Sequence, residues 1–148
     1  MSDSAGREFV DANVLVYAFD ASAGAKRDAA KVLLERLWSS ETGQLSVQVL
    51  QEFFVTVTRK VARPLPGREA EDRVRELTAW RIFTPGADDV LAAIGVARAA
   101  KVSFWDAMIL HAASESGCDV CWTEDLNDGQ VWRGVNIRNP FASGSHGP

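Results

Sequence analysis

The sequence predicts an α/β domain of three layers, with a central, mostly parallel β-sheet flanked by helices on both faces. Three observations point there. Short runs of strand type alternate with longer stretches whose apolar residues recur at helical spacing, and strands separated by helices pair in parallel. The chain has 148 residues, 47% hydrophobic and 24% charged, enough to bury one substantial core and too apolar for disorder. No segment repeats at a fixed period, which excludes a solenoid or a propeller.

The elements follow in order. Glu8-Phe9-Val10 leads into Asp11 as a first strand. Ala30, Leu33, Leu34 and Leu37 stand at i, i+3, i+4 and i+7, an amphipathic helix over 25–39. A short strand at Gln44-Leu45-Ser46-Val47 precedes a helix over 49–61, whose apolar stripe is Leu50, Phe53, Phe54 and Val57. Pro64-Leu65-Pro66-Gly67 ends it, because proline lacks an amide donor and disfavours helix before it. A polar helix over 68–80 and a strand at Arg81-Ile82-Phe83-Thr84 come next, then helices over 87–100 and 104–116. Cys118-Asp119-Val120-Cys121-Trp122 reads as a buried strand and Val135-Asn136-Ile137 as a final edge strand. One domain over 1–141 results, with 142–148 as a flexible tail.

Sixteen basic against twenty acidic side chains give a net charge of −4, which argues against a protein that coats nucleic acid. The balance is uneven, however. From Arg59 to Arg81 stand Arg59, Lys60, Arg63, Arg68, Arg73, Arg75 and Arg81 against Glu69, Glu71, Asp72 and Glu76. This segment is either a solvated, salt-bridged helix face or a contact for a polyanion. No apolar run reaches the length of a membrane span, the N-terminus lacks the pattern of a secretory leader, and two cysteines are too few for a disulfide scaffold. A reduced, cytoplasmic protein is expected.

In a parallel sheet the functional crevice lies outside the carboxyl ends of strands, at a topological switch point. Four acids from four segments occupy such places: Asp11 directly after the first strand, Glu52 in the helix after Ser46-Val47, Asp106 in the first turn of the helix from Phe104, and Asp125 three residues past Trp122. Carboxylates that converge in a partly desolvated cleft repel, so they coexist only if some are protonated or a cation sits among them. Oxygen ligands alone suit a hard ion, Mg²⁺ or Mn²⁺. Each acid also has a plainer reading. Asp11 suits a helix N-cap, and Asp106 completes a capping box with Ser103. Glu52 faces away from the apolar stripe of its helix and suits solvent equally well. Asp125 competes with Glu124 and Asp128 in the same turn.

Other chemistries are excluded. Cys118 and Cys121 lack a second ligand pair and read as buried thiols rather than a zinc site. His111 sits among Ala107, Met108 and Ala112 as a packed or partly exposed side chain, and His146 lies in the tail, so no Ser–His or Cys–His nucleophile system forms. No glycine-rich loop follows the first strand, which removes dinucleotide and P-loop binding. An aspartyl-phosphate hydrolase would need an acid where Asn13 stands.

The run Phe9-Val10-Asp11-Ala12-Asn13-Val14-Leu15-Val16-Tyr17-Ala18 resembles the opening motif of PIN-domain ribonucleases, and more narrowly of the VapC-like toxins of type II toxin–antitoxin modules. The likeness continues through Val49-Leu50-Gln51-Glu52-Phe53-Phe54, Ser103-Phe104-Trp105-Asp106-Ala107, Trp122-Thr123-Glu124-Asp125-Leu126-Asn127 and Gly134 to Phe141. It implies endoribonuclease activity with Mg²⁺ or Mn²⁺, a homodimer, and a small cognate antitoxin that blocks the cleft. By motif, Asp11, Glu52, Asp106 and Asp125 match the acidic quartet, with Asn13 and Thr123 as the polar residues that flank it. Ala12 departs from the family, which often has Ser or Thr there, and removes a supporting hydrogen bond. Asp11, Asp106 and Asp125 would hold metal and Glu52 a second ion or the attacking water, while Arg59, Lys60 and Arg63 would contact RNA. A nuclease acting on DNA or on structured ends, and a non-catalytic module whose acids only cap helices, are the competing readings.

Overall fold

The computed structural model describes residues 6–142; the expected tail lies almost wholly outside them. The strands are β1 (Glu8–Val10), β2 (Gly43–Ser46), β3 (Arg81–Phe83), β4 (Val120–Trp122), β5 (Val131–Trp132) and β6 (Val135–Arg138). The helices are α1 (Ala12–Phe19), α2 (Ala25–Ser40), α3 (Val47–Arg59), α4 (Gly67–Leu77), α5 (Ala87–Ala100) and α6 (Phe104–Glu115). The six strands form one sheet in the order β3-β2-β1-β4-β6-β5, parallel except for the β5–β6 pair. Helices cover both faces, so the expected three-layer architecture is the observed one.

Strand β1 sits centrally, pairing Phe9 with Gln44 on one side and with Cys121 on the other. Phe9 and Val10 are both buried, one toward each helix layer. The chain builds β2 and β3 outward on one side of β1, then crosses to place β4 on the other. The direction of winding reverses between β1 and β4, and a crevice opens outside their carboxyl ends.

The structure departs from the sequence reading, or adds to it, at several local points. Val135-Asn136-Ile137 is not at the edge, because β5 pairs antiparallel outside it. Arg133 and Gly134 join the two strands with φ of 48° and 84°, the left-handed pair that a two-residue hairpin turn demands. The run from Ala12 to Phe19 is a helix, buried on nearly every side, so it shows no amphipathic period to distinguish it from a strand. Helix α3 starts at Val47, capped by the Ser46 hydroxyl, which accepts from Val49 N at 3.3 Å. Its core face is accordingly Val49, Phe53 and Val57, while Phe54 is exposed. Strand β4 starts at Val120, and Cys118 belongs to the preceding turn, although both thiols are buried.

Helix α4 ends at Leu77, three residues before the expected end, because Trp80 turns inward over Gly43. A Cβ on Gly43 would stand 2.3 Å from the Trp80 ring. Gly43→Ala must push that ring out, and is expected to destabilise the fold by about 1–3 kcal/mol in a chemical-denaturation melt. A change under about 0.5 kcal/mol, the size of an ordinary surface substitution, would show that the ring moves freely.

Candidate active site

The crevice at the switch point is a cleft of about 710 Å³ lined by Asp11, Asn13, Tyr17, Glu52, Lys60 and Asp125 among others. Asp11 enters it as the residue directly after β1 and the N-cap of α1. Its Oδ1 accepts from Ala12 N at 2.7 Å and its Oδ2 accepts from the Thr123 hydroxyl at 2.8 Å. Both the capping role and the cleft position therefore belong to one side chain. Burial pushes its carboxyl up from 3.8 to about 7, against the pull of Thr123 and Ala12, and the nearby Asp125 and Glu52 charges push it further.

Thr123 is fully buried just past β4. Its hydroxyl donates to Asp11 and accepts from Asp125 N at 3.1 Å, so it joins the two acids through one oxygen. Asn13 accepts from Glu124 N at 3.4 Å, and its buried Nδ2 has no partner among the described residues. Glu52 is half-buried on α3. Gln48, one turn earlier, donates from Nε2 to Glu52 Oε2 at 3.1 Å and to the Trp105 carbonyl at 3.3 Å. Desolvation raises the Glu52 carboxyl; Gln48 and Lys60 pull it down, while Asp125 and Asp106 push it up.

Asp106 is half-buried in the first turn of α6, where its N–H donates to Ser103 Oγ at 3.1 Å. Its carboxyl is raised, by desolvation first and then by Asp125. It does not line the cleft itself. The field of Asp125 thus reaches the other three acids. Even so, among the described residues no three His, Cys, Asp or Glu side chains form a group close enough to hold a metal ion as they stand.

The competition within the 124–128 turn is resolved by hydrogen bonds. Glu124 accepts from the Tyr17 hydroxyl at 2.8 Å and is ion-paired with Lys26. Asp128 Oδ1 accepts from Asn139 N at 2.8 Å. Asp125 alone of the three lines the cleft. The basic segment divides similarly. Arg73 and Arg75 on α4 are spent on Glu76 and Glu71, the salt-bridged face of the plainer reading. Arg59, Lys60 and Arg63 are exposed around the end of α3, with only Lys60 on the cleft. His111 is buried and bonded through Nε2 to Asp89 Oδ1 at 2.8 Å, away from the acids.

Gln48 is the site residue that sequence reasoning missed. Its signal was available, since a glutamine four residues before a candidate glutamate shares its helix face. Only the start of α3 at Val47 turns that face toward α6.

A family model for the PIN domain matches residues 9–127, and the chain belongs to the PIN domain family, a family of nucleases. No curated protein sequence matches the chain significantly. Among solved structures, it is similar to the sarcin-ricin-loop-cleaving toxin VapC20 of Mycobacterium tuberculosis, at 23% identity and a TM-score of 0.59 over 77% of this chain and 86% of that one. A toxin–antitoxin complex from Klebsiella pneumoniae matches at 22% identity and a TM-score of 0.67, covering 90% of this chain and 98% of that one. VapBC2 of Rickettsia felis, bound to a promoter DNA fragment, matches at 14% identity and a TM-score of 0.61, covering 89% and 97%. At these identities the likeness is one of fold. It agrees with the VapC-like resemblance read from the sequence.

Proposed function

We propose that this protein is a metal-dependent endoribonuclease, the toxin component of a type II toxin–antitoxin system. One observation carries the reading: Asp11, Glu52 and Asp125, from three separate segments, line one cleft at the switch point of the sheet, and the Asp125 charge adds to the burial that raises the carboxyls of Asp11, Glu52 and nearby Asp106. A module whose acids only cap helices has no reason to gather Glu52 and Asp125, neither of which caps one, beside Asp11.

The donor set fits a hard divalent cation in type and charge. Magnesium commonly binds through one or two carboxylates while keeping several waters, so it does not require three side chains already closed around it. Asp11, Asp106 and Asp125 are the residues that would hold it. When bound, the ion supplies Lewis-acid stabilisation of the phosphate and acidifies water for attack. The chain's own part is orientation. Ala12 N and the Thr123 hydroxyl each take one oxygen of Asp11 and fix its plane. Gln48 holds Oε2 of Glu52, which leaves Oε1 to orient the attacking water and take its proton. The raised Glu52 carboxyl suits that task, because a stronger base accepts a proton more readily.

RNA as substrate and a cognate antitoxin as inhibitor rest on the family resemblance, together with the toxin–antitoxin character of similar structures. A homodimer is part of the same reading, and Val90, Leu91 and Ile94 offer exposed apolar surface on α5 for it. Incubation with single-stranded RNA and Mn²⁺ is expected to yield discrete fragments, reversibly abolished by EDTA. Full cleavage in EDTA would overturn the metal reading, and equal cleavage of single-stranded DNA would overturn the RNA preference.

Phosphate attraction into an acidic cleft must come from the metal and from flanking cations. Replacing Arg59, Lys60 and Arg63 with Gln is expected to weaken RNA binding and flatten its salt dependence, by roughly 0.7 in slope for each phosphate that is no longer neutralised. Cleavage at saturating RNA should hardly change. A slope equal to wild type in a fluorescence-anisotropy titration would assign these side chains to another surface.

A further inference from the structure

The segment that carries Asp125 is held from three directions. Thr123 anchors it to Asp11 at its start, and Asp128 bonds Asn139 N at its end. Between these, Glu124 makes three separate attachments. Its backbone N–H donates to Asn13, its Oε1 accepts from the Tyr17 hydroxyl, and its Oε2 pairs with Lys26. Asp125 is attached only through its own backbone N–H, to Thr123 Oγ1. Its carboxylate has no hydrogen-bond donor among the described residues. Where that carboxylate stands is therefore decided by its neighbours.

Lys26 is itself located by aromatic rings. Its ammonium lies 4.9 Å from the centroid of Tyr17 and 5.6 Å from that of Phe141, and the two rings meet edge to face at 5.0 Å. The cluster ties α1, α2, the loop after β4 and the end of the described chain into one unit. It also neutralises Glu124. Unpaired, that carboxylate would add another negative charge beside Asp125 and compete with it for a cation.

We propose that Glu124, clamped by Tyr17 and Lys26, is a positioning residue that sets where Asp125 stands in the cleft. This inference rests on the nuclease reading above for its purpose, though not for its geometry. The Lys26 and Glu124 side chains are 44% and 25% exposed, and an ion pair so open to solvent adds little to global stability. Its contribution is local order.

The test uses Lys26→Met and Tyr17→Phe in the full chain, with Lys26→Arg as the conservative variant. Hydrogen exchange of the Glu124 and Asp125 amides should accelerate several-fold in the first two, while exchange in β1 and β2 stays as in wild type. The Tm should move by no more than about 4 °C. Calorimetric titration with Mn²⁺ should show affinity weakened about tenfold, as for other side chains that orient a ligand. Lys26→Arg should restore both. In an Asp125→Asn background, Lys26→Met should cost no further affinity, because the residue through which it acts is gone.

Unchanged exchange at Glu124 and Asp125 would overturn the proposal. So would an affinity loss that persists in full in the Asp125→Asn background. A wild-type protein that neither binds Mn²⁺ nor cleaves RNA would instead overturn the nuclease reading, with the exchange result still deciding whether the clamp orders the segment.

Discussion

Asp11→Asn is expected to cut Mn²⁺-dependent RNA cleavage at least about 100-fold, a loss of roughly 2.7 kcal/mol in transition-state stabilisation. The fold should survive, because asparagine also caps a helix well and keeps the size of the side chain. Asp11 is the one acid of the four that is almost wholly buried, with each oxygen already committed to one donor. The charge it presents to the cleft is therefore fixed in place, and no neighbour can substitute for it. Asp106→Asn is the sharper comparison. Asp106 stands outside the lining of the cleft yet feels the charge of Asp125. A comparable loss of cleavage there would bring it into the metal set, whereas wild-type activity would leave it outside the site, in the helix turn that Ser103 caps. Wild-type activity in Asp11→Asn would remove the basis of the nuclease reading.

Stability without metal should depend on pH through the same residue. The Asp11 carboxyl ionises near 3.8 when unfolded and at about 7 in the fold. Below 3.8 both states hold the proton and Asp11 costs nothing. As pH rises toward 7 the unfolded chain releases its proton while the folded one keeps it, so stability falls, and above 7 the full cost of the buried charge is present. A difference of that size corresponds to roughly 4 kcal/mol. Asparagine escapes the cost of the charge. It leaves one of the two donors, Ala12 N or the Thr123 hydroxyl, facing its amide, a loss of about 1–3 kcal/mol. Asp11→Asn is accordingly expected to melt about 4–8 °C above wild type at pH 8 in EDTA. The gap should shrink toward zero at pH 5. Mn²⁺ at pH 8 should narrow it from the other side, by stabilising only the ionised wild-type site. Equal melting temperatures at pH 8 would mean that water or an induced rearrangement already solvates the charge.

Both results depend on how the acids are gathered, and that gathering was only partly legible in the residues. The amphipathic period of α2, with Ala30, Leu33 and Leu37 inward, needs no tertiary partner to be read, and neither do the Pro64 to Gly67 break and the Ser103 cap. These are local effects of side-chain spacing, of proline and of a hydroxyl at a helix start. The placement of Asp11 after a buried strand was legible for the same reason.

What the tertiary structure alone decided lies where several segments compete for one position. Phe54 and Val49 fit a helical stripe equally well, and the Ser46 cap, which starts α3 at Val47, turned Val49 inward. Helix α1 is buried all round and so carries no period. The edge of the sheet went to the two-residue strand β5, because a hairpin needs only Arg133 and Gly134 in left-handed conformation to add it. Glu124, Asp125 and Asp128 are equivalent as letters. Lys26 and Tyr17 claimed the first, Asn139 claimed the third, and Asp125 was left to the cleft. Sequence by itself determined most of the helices and strands and that acids follow the strands, since those depend on neighbours a turn or less away. Which acid faces which was decided by contacts across 100 residues or more of chain, such as Tyr17 to Glu124 and Asp11 to Thr123, and local spacing carries no record of those.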